Sequence, residues 1–189
     1  MIIDFSKISK SDAYKIMSNT ITPRPIAWIS TELAGVSNLA PFSYFAPLSS
    51  KPPIVVVSIG KKSDGTKKDT LQNLLNGSKA TINFVDISMM DEMCETAKEL
   101  PKNQSEFDAF NILPKKILEG YPPIADGALA AIFCDFVKEI DLGGDTIPIL
   151  LEIKKAYYDE SVINEKFHIN LENIGRVGMK FLVGGELLT

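Results

Sequence analysis

The chain has 189 residues, of which 45% are hydrophobic and 23% charged, and a formal net charge of −4. That suits one domain over 1–189 with a full apolar core. It excludes the basic field that nucleic-acid binding needs. Two cysteines, Cys94 and Cys134, at no metal-ligand spacing, and one histidine, His168, exclude a multi-histidine metal site and any Ser-His-Asp triad not built on His168.

In chain order, the N-terminus has no long apolar stretch and no small-residue cleavage site. Runs such as Ile54–Val57 and Ala128–Cys134 are far short of a membrane span. A soluble, cytoplasmic protein with reduced thiols is expected, with Cys134 in the core. Ser11 is read as the cap of a short helix over Asp12–Met17. Thr22-Pro23 ends it, because the residue before proline avoids the helical region.

Residues 25–31 and 36–46 read as strands around a turn at Glu32–Gly35, both rich in aromatic and β-branched residues. Pro41 demotes the second to an edge or a bulge. Pro47–Pro53 reads as a loop. Residues 54–59 read as a continuous apolar strand covered on both faces. After a polar loop over 60–68, a helix starts at Asp69 or Thr70, with Leu71, Leu74 and Leu75 on one face and Gly77 as its stop. Residues 80–86 form a strand, and Met89–Leu100 a helix with an apolar stripe of Met90, Met93, Cys94 and Ala97. Residues 102–127 are loop-rich, with a helical turn at Phe107 and Phe110.

Ala128–Ile140 and Thr146–Tyr158 read as a hairpin turning at Gly143-Gly144. Arg176 and Gly178 precede a strand-like Lys180–Val183. Many short strands, few helices and no βαβ repeat argue for a barrel. No GxGxxG follows a strand, so no Rossmann dinucleotide site is visible.

Three blocks carry the functional signal: Thr22–Phe45, with Pro23-Arg24-Pro25 and Asn38-Leu39-Ala40-Pro41-Phe42-Ser43; Pro52–Ile59; and Lys68-Asp69-Thr70-Leu71-Gln72-Asn73. In this order they resemble the flavin reductase-like, FMN-binding split-barrel family, the group that includes flavoredoxins. Two departures stand out. Thr146 follows Gly144-Asp145 where the family usually has histidine, and Phe181 leads the closing segment where tyrosine is common.

The resemblance implies a mainly β fold with peripheral helices, an FMN-binding split β-barrel, and a homodimer. By motif position it places Ser30, Thr31, Asn38, Leu39, Ala40, Pro41 and Ser43 at the flavin, with Ser58 and Ile59 lining the same pocket. Thr31 and Asn38 suit the ribityl and phosphate end, and the backbone of Leu39–Ser43 the isoalloxazine edge. The Lys67-Lys68-Asp69-Thr70 block suits the phosphate, because a helix starting there points free N–H groups at an anion, with Lys68 adding charge and Thr70 a hydroxyl; the Asp69 carboxylate itself is not expected to touch the phosphate, because like charges repel. Asp69 as a plain helix cap is the structural alternative, and ordinary strand hydroxyls are the alternative for Ser30 and Thr31.

Lys61 and Lys62 read as a solvated loop, Trp28 as a core or dimer-interface aromatic, and His168 as a loop histidine. Arg24 is either a cation near the flavin or across a subunit interface, or one partner of a surface ion pair. Arg176 has the same ambiguity. The implied activity is an FMN-dependent oxidoreductase fed by NADH or NADPH, passing electrons to free flavin, a small acceptor or a protein. A flavoredoxin-like electron carrier and a non-catalytic flavin-binding or sensor barrel are the alternatives. A pyridoxamine-phosphate oxidase-like enzyme fits the motif blocks poorly.

Overall fold

The computed structural model describes residues 1–184; the last five residues of the closing segment lie outside the described residues. The strands are β1 (Arg24–Pro25), β2 (Ala27–Leu33), β3 (Val36–Phe42), β4 (Phe45–Ser50), β5 (Pro53–Gly60) and β6 (Lys79–Phe84). They continue as β7 (Pro114–Lys115), β8 (Ile124–Ala125), β9 (Ala130–Glu139), β10 (Thr146–Tyr158), β11 (Gly175–Val177) and β12 (Lys180–Leu182). The α-helices are α1 (Lys10–Thr20), α2 (Asp69–Gly77), α3 (Met90–Glu95) and α4 (Glu106–Ala109). The fold is mainly β with peripheral helices, as the strand-rich pattern predicts.

Seven strands form one antiparallel sheet in the order β3-β2-β6-β9-β10-β5-β4. The sheet curls until β3 also approaches β5. Alternation along β2 sends Ala27 and Ile29 to the enclosed core with Val57, Ile82, Ile149 and Leu151. Its other face sends Trp28 to a second core, which Ile26 just before the strand joins with Leu39, Met93 and Phe107. Helix α2 closes one end by inserting Leu71 and Leu74, both fully buried. Leu75 is 40% exposed, so the apolar stripe of α2 is narrower than its sequence suggests.

The β9–β10 hairpin turns where Gly143-Gly144 predicts, and Cys134 is fully buried. Trp28 is a core residue, its Nε1 donating to Thr96 Oγ1 at 2.9 Å. Elsewhere the structure corrects the sequence. Helix α1 is capped by Ser9 rather than Ser11 and runs on to Thr20. The expected loop at Pro47 is strand β4, the far edge of the sheet, with a register shift between Pro47 and Ser49. An edge strand with a bulge tolerates a residue without an N–H. Strand β5 is covered on one face only: Val55, Val57 and Ile59 are buried, while Ile54, Val56 and Ser58 are half-buried. The helix from Met89 stops at Glu95, where Thr96 turns its hydroxyl back onto Met93 O.

Candidate functional site

Strand β3 pairs with β2 alone, so it is the other edge of the sheet. Leu39 N–H points outward and donates to Glu106 Oε2 at 2.9 Å. The alternation of an antiparallel pair puts the nitrogen of Pro41, two residues on, on the same outer side. Proline therefore costs the β2–β3 ladder nothing there, and the outer carbonyls of Leu39 and Pro41 face away from the sheet. The edge placement expected from Pro41 is thus met for a specific backbone reason.

Across from this edge lies the N-terminus of α2. Its N-cap residue is Lys68, which makes no side-chain capping bond. The first N–H groups of the helix are thus uncapped by any side chain, and the helix dipole adds partial positive charge. Asp69 sits inside the helix and does not cap it. Its Oδ2 pairs with Lys62 Nζ at 2.6 Å, and its buried Oδ1 has no partner among the described residues. Lys62 is consequently half-buried, not the solvated loop lysine expected from sequence. Lys68 makes no ion pair among the described residues.

One groove joins the two elements. Asn38, Ala40 and Pro41 form one wall, Lys62, Lys68, Asp69 and Thr70 another, and Thr96–Leu100 with Glu106 the third. An adjoining cleft, sharing Pro41 and Ala97, is lined by Phe42, Ser43, Met93, Cys94, Arg176 and Phe181. The groove thus offers uncapped helix N–H groups and a lysine at one end, and outer carbonyls beside an apolar bed at the other. Those are the donors a phosphate needs and the surroundings a flavin ring needs, so the residues present fit FMN.

The predicted site residues divide. Asn38, Ala40, Pro41, Lys68, Asp69 and Thr70 meet in the groove, and Ser43 in the adjoining cleft. Thr31, Asn38 and Thr70 are brought together, but with each other. Thr70 Oγ1 donates to Asn38 Oδ1 at 2.7 Å, Thr31 Oγ1 to the same oxygen at 3.4 Å, and Asn73 Nδ2 to Thr31 Oγ1 at 3.1 Å. Asn38 Nδ2 spans both oxygens of Glu106 at 2.9 Å. These five side chains brace the groove wall.

Ser30 is fully buried on the opposite face of β2 and donates to Pro123 O at 2.5 Å, the ordinary strand-hydroxyl arrangement. The Leu39 side chain belongs to the Trp28 core and Ile59 to the barrel core. Ser58 lies in a separate cleft beside Arg24. Arg24 is buried and makes no salt bridge among the described residues, against the surface ion pair considered above. Arg176 is half-buried, with its guanidinium 4.3 Å over the Phe181 ring. His168 is exposed in the loop before β11.

Two residues of the groove carried no usable sequence signal. Lys62 looked like any loop lysine. Glu106 lies 67 residues from Leu39, in a stretch read as loop-rich. It is 5% exposed and its carboxyl is raised above the ordinary glutamate range, burial outweighing the Leu39 and Asn38 hydrogen bonds that favour its charge.

Residues 17–172 match the family model described as the flavin reductase like domain. A Deinococcus radiodurans protein is 31% identical over 93% of this chain and 81% of its own length. YwrF of Bacillus subtilis is 32% identical over 76% of this chain and 70% of its own. Among solved structures, nitrilotriacetate monooxygenase component B from Bacillus cereus superposes with a TM-score of 0.93 at 28% identity, covering 100% of this chain and 98% of that one. Flavoredoxin of Desulfovibrio vulgaris (Miyazaki F) shares the fold with a TM-score of 0.80 at 15% identity, covering 100% of this chain and 96% of that one. Both the split-barrel architecture and the motif resemblance are thereby met.

Proposed function

The chain belongs to the flavin reductase-like family of flavin-binding oxidoreductases, and we propose that it binds FMN and uses NADH or NADPH to reduce it. The observation that carries this reading is the convergence on one groove of the uncapped α2 N-terminus, Lys68 and the outer edge of β3. In it, the helix N-terminus and Lys68 would hold the phosphate, and Ala40–Ser43 would hold the ring. The flavin supplies the hydride chemistry; the chain holds and orients it. No side-chain acid or base is required, which agrees with His168 being exposed and lining neither the groove nor the adjoining cleft.

Electrons then pass to free flavin, a small acceptor or a protein. The likeness to a monooxygenase component supports an acceptor outside the chain. The same reading carries a homodimer; sedimentation velocity tests it.

The direct test is an absorption spectrum of the purified protein with FMN, followed by anaerobic NADH and then NADPH. Bound flavin that bleaches with either nucleotide is expected and names the donor. Bound flavin that ignores both would replace the reductase with an electron carrier fed by a protein. Failure to bind flavin would overturn the reading altogether.

A further inference from the structure

Strand β11 holds Arg176 between two partners. Opposite it on β12 stands Phe181, and opposite it on β1 stands Arg24. The Arg176 guanidinium lies over the Phe181 ring, its Cζ 4.3 Å from the centroid, and Nε donates to Gly178 O at 3.1 Å. An aromatic face and one hydrogen bond fix the plane of the group without neutralising it. Arg24 is buried and turns to the α1 carbonyls instead, its Nη1 donating to Ser18 O and to Ile21 O at 3.2 Å.

Like charges directly opposite each other on paired strands are unfavourable. Strands β1 and β11 carry such a pair, and neither arginine joins an ion pair among the described residues. Of the two, Arg176 reaches the site. It lines the cleft that adjoins the groove, with Phe42, Ser43, Met93 and Cys94, and no other charged residue lines that cleft among the described residues. Its charge is felt there: burial raises the Cys94 thiol, and the Arg176 charge works against the rise. A cation held against an apolar wall is screened less than one in open water.

On the flavin reading, Ala40–Ser43 would hold the ring, so Phe42 and Ser43 put the bed of the ring and Arg176 in one cleft. Hydride transfer from NADH or NADPH to FMN moves two electrons and one proton together. The nucleotide leaves oxidised, and the bound flavin gains one negative charge. A fixed cation in the cleft stabilises that added charge and does little for the neutral oxidised ring.

We propose that Arg176, held in place by Phe181, tunes the bound flavin: its charge favours reduced over oxidised FMN and so raises the potential of the site. This rests on the flavin reading and names the residue that sets its redox balance.

The test is spectroelectrochemical titration of the FMN-loaded full-length chain, with the affinity for oxidised FMN measured separately by flavin fluorescence. Arg176→Gln should bind oxidised FMN within about threefold of the wild type and lose at least tenfold in its preference for reduced FMN, which is about 30 mV for a two-electron couple. Arg176→Lys keeps a cation and should fall less than Arg176→Gln. Phe181→Glu leaves Arg176 in place but sets a carboxylate where the ring stood, and it should lower the potential as Arg176→Gln does. It keeps the test decisive if Arg176→Gln does not fold. FMN bound at the wild-type potential in either folded variant, Arg176→Gln or Phe181→Glu, overturns the proposal and leaves the flavin reading standing. So does an unchanged potential joined to weaker bleaching at low NADH, because the cation then serves the phosphates of the donor. A wild type that binds no FMN overturns both.

Discussion

Asn38 Nδ2 stands 2.9 Å from each carboxylate oxygen of Glu106, and the next backbone nitrogen along β3, that of Leu39, donates to the same carboxylate at 2.9 Å. One buried side chain from α4 thus holds both the side chain and the backbone of the edge strand that walls the groove. Asn38 in turn receives Thr70 from α2, so Glu106 joins the two elements that the flavin reading requires to stay in register.

Glu106→Ala should cost about 3 kcal/mol of stability, because it leaves donors of Asn38 and Leu39 buried and unpaired at about 1–3 kcal/mol each. Urea denaturation reads this. A second variant, Glu106→Gln, exposes the charge. Burial raises the folded-state carboxyl above its unfolded value. The group's contribution to stability is then fully present below the ordinary glutamate range and is lost as pH rises through the raised value. The wild type should therefore lose stability relative to Glu106→Gln as pH rises from the ordinary glutamate range through the raised value. A difference that does not change with pH would contradict this.

Asn38→Ala should destabilise the chain by about 2–3 kcal/mol, since it strips two bonds from Glu106 and the acceptor from Thr70. Near wild-type stability with poor flavin occupancy would instead make Asn38 a direct ligand.

Thr96→Val should cost about 1–2 kcal/mol by leaving the buried indole N–H of Trp28 without its acceptor, and Thr96→Ser should recover most of it. Trp28 is the one tryptophan, so its fluorescence reports the unfolding directly.

The thiols should separate cleanly with an aromatic disulfide reagent. Burial pushes Cys134 up to about 12, and the side chain is fully buried. It should react only on unfolding. Cys94 is half-buried at the wall of the cleft next to the groove. Burial raises its thiol too, so it should react in the native protein but more slowly than a free thiol. Two equally fast thiols would contradict the packing of β9.

The sequence made the hairpin of β9 and β10 readable because Gly143-Gly144 marks its turn locally, and β2–β3 readable because Gly35 and Pro41 fix the turn and the edge. Strand β4 was hidden by Pro47, whose missing N–H matters only if the strand lies inside the sheet, and that is a property of the topology. The groove was legible at Lys68–Thr70, where helix start, cation and hydroxyl are neighbours in sequence. It was not legible at Glu106 or Lys62. Their roles depend on Leu39 and Asp69 being close in space, and no local pattern encodes that. Ser30 and Thr31 show the complementary error: adjacent hydroxyls on a strand point to opposite faces, and neither reaches the groove as a free group.

The measurement that tests the central claim most directly compares FMN with riboflavin on wild-type protein and on Lys68→Ala. If the phosphate lies at the α2 N-terminus, the wild type should bind FMN at least tenfold more tightly than riboflavin. Lys68→Ala should weaken FMN by a similar factor and leave riboflavin nearly unchanged. Equal affinity for the two ligands, or equal losses for both on substitution, would contradict the assignment of the phosphate to this helix.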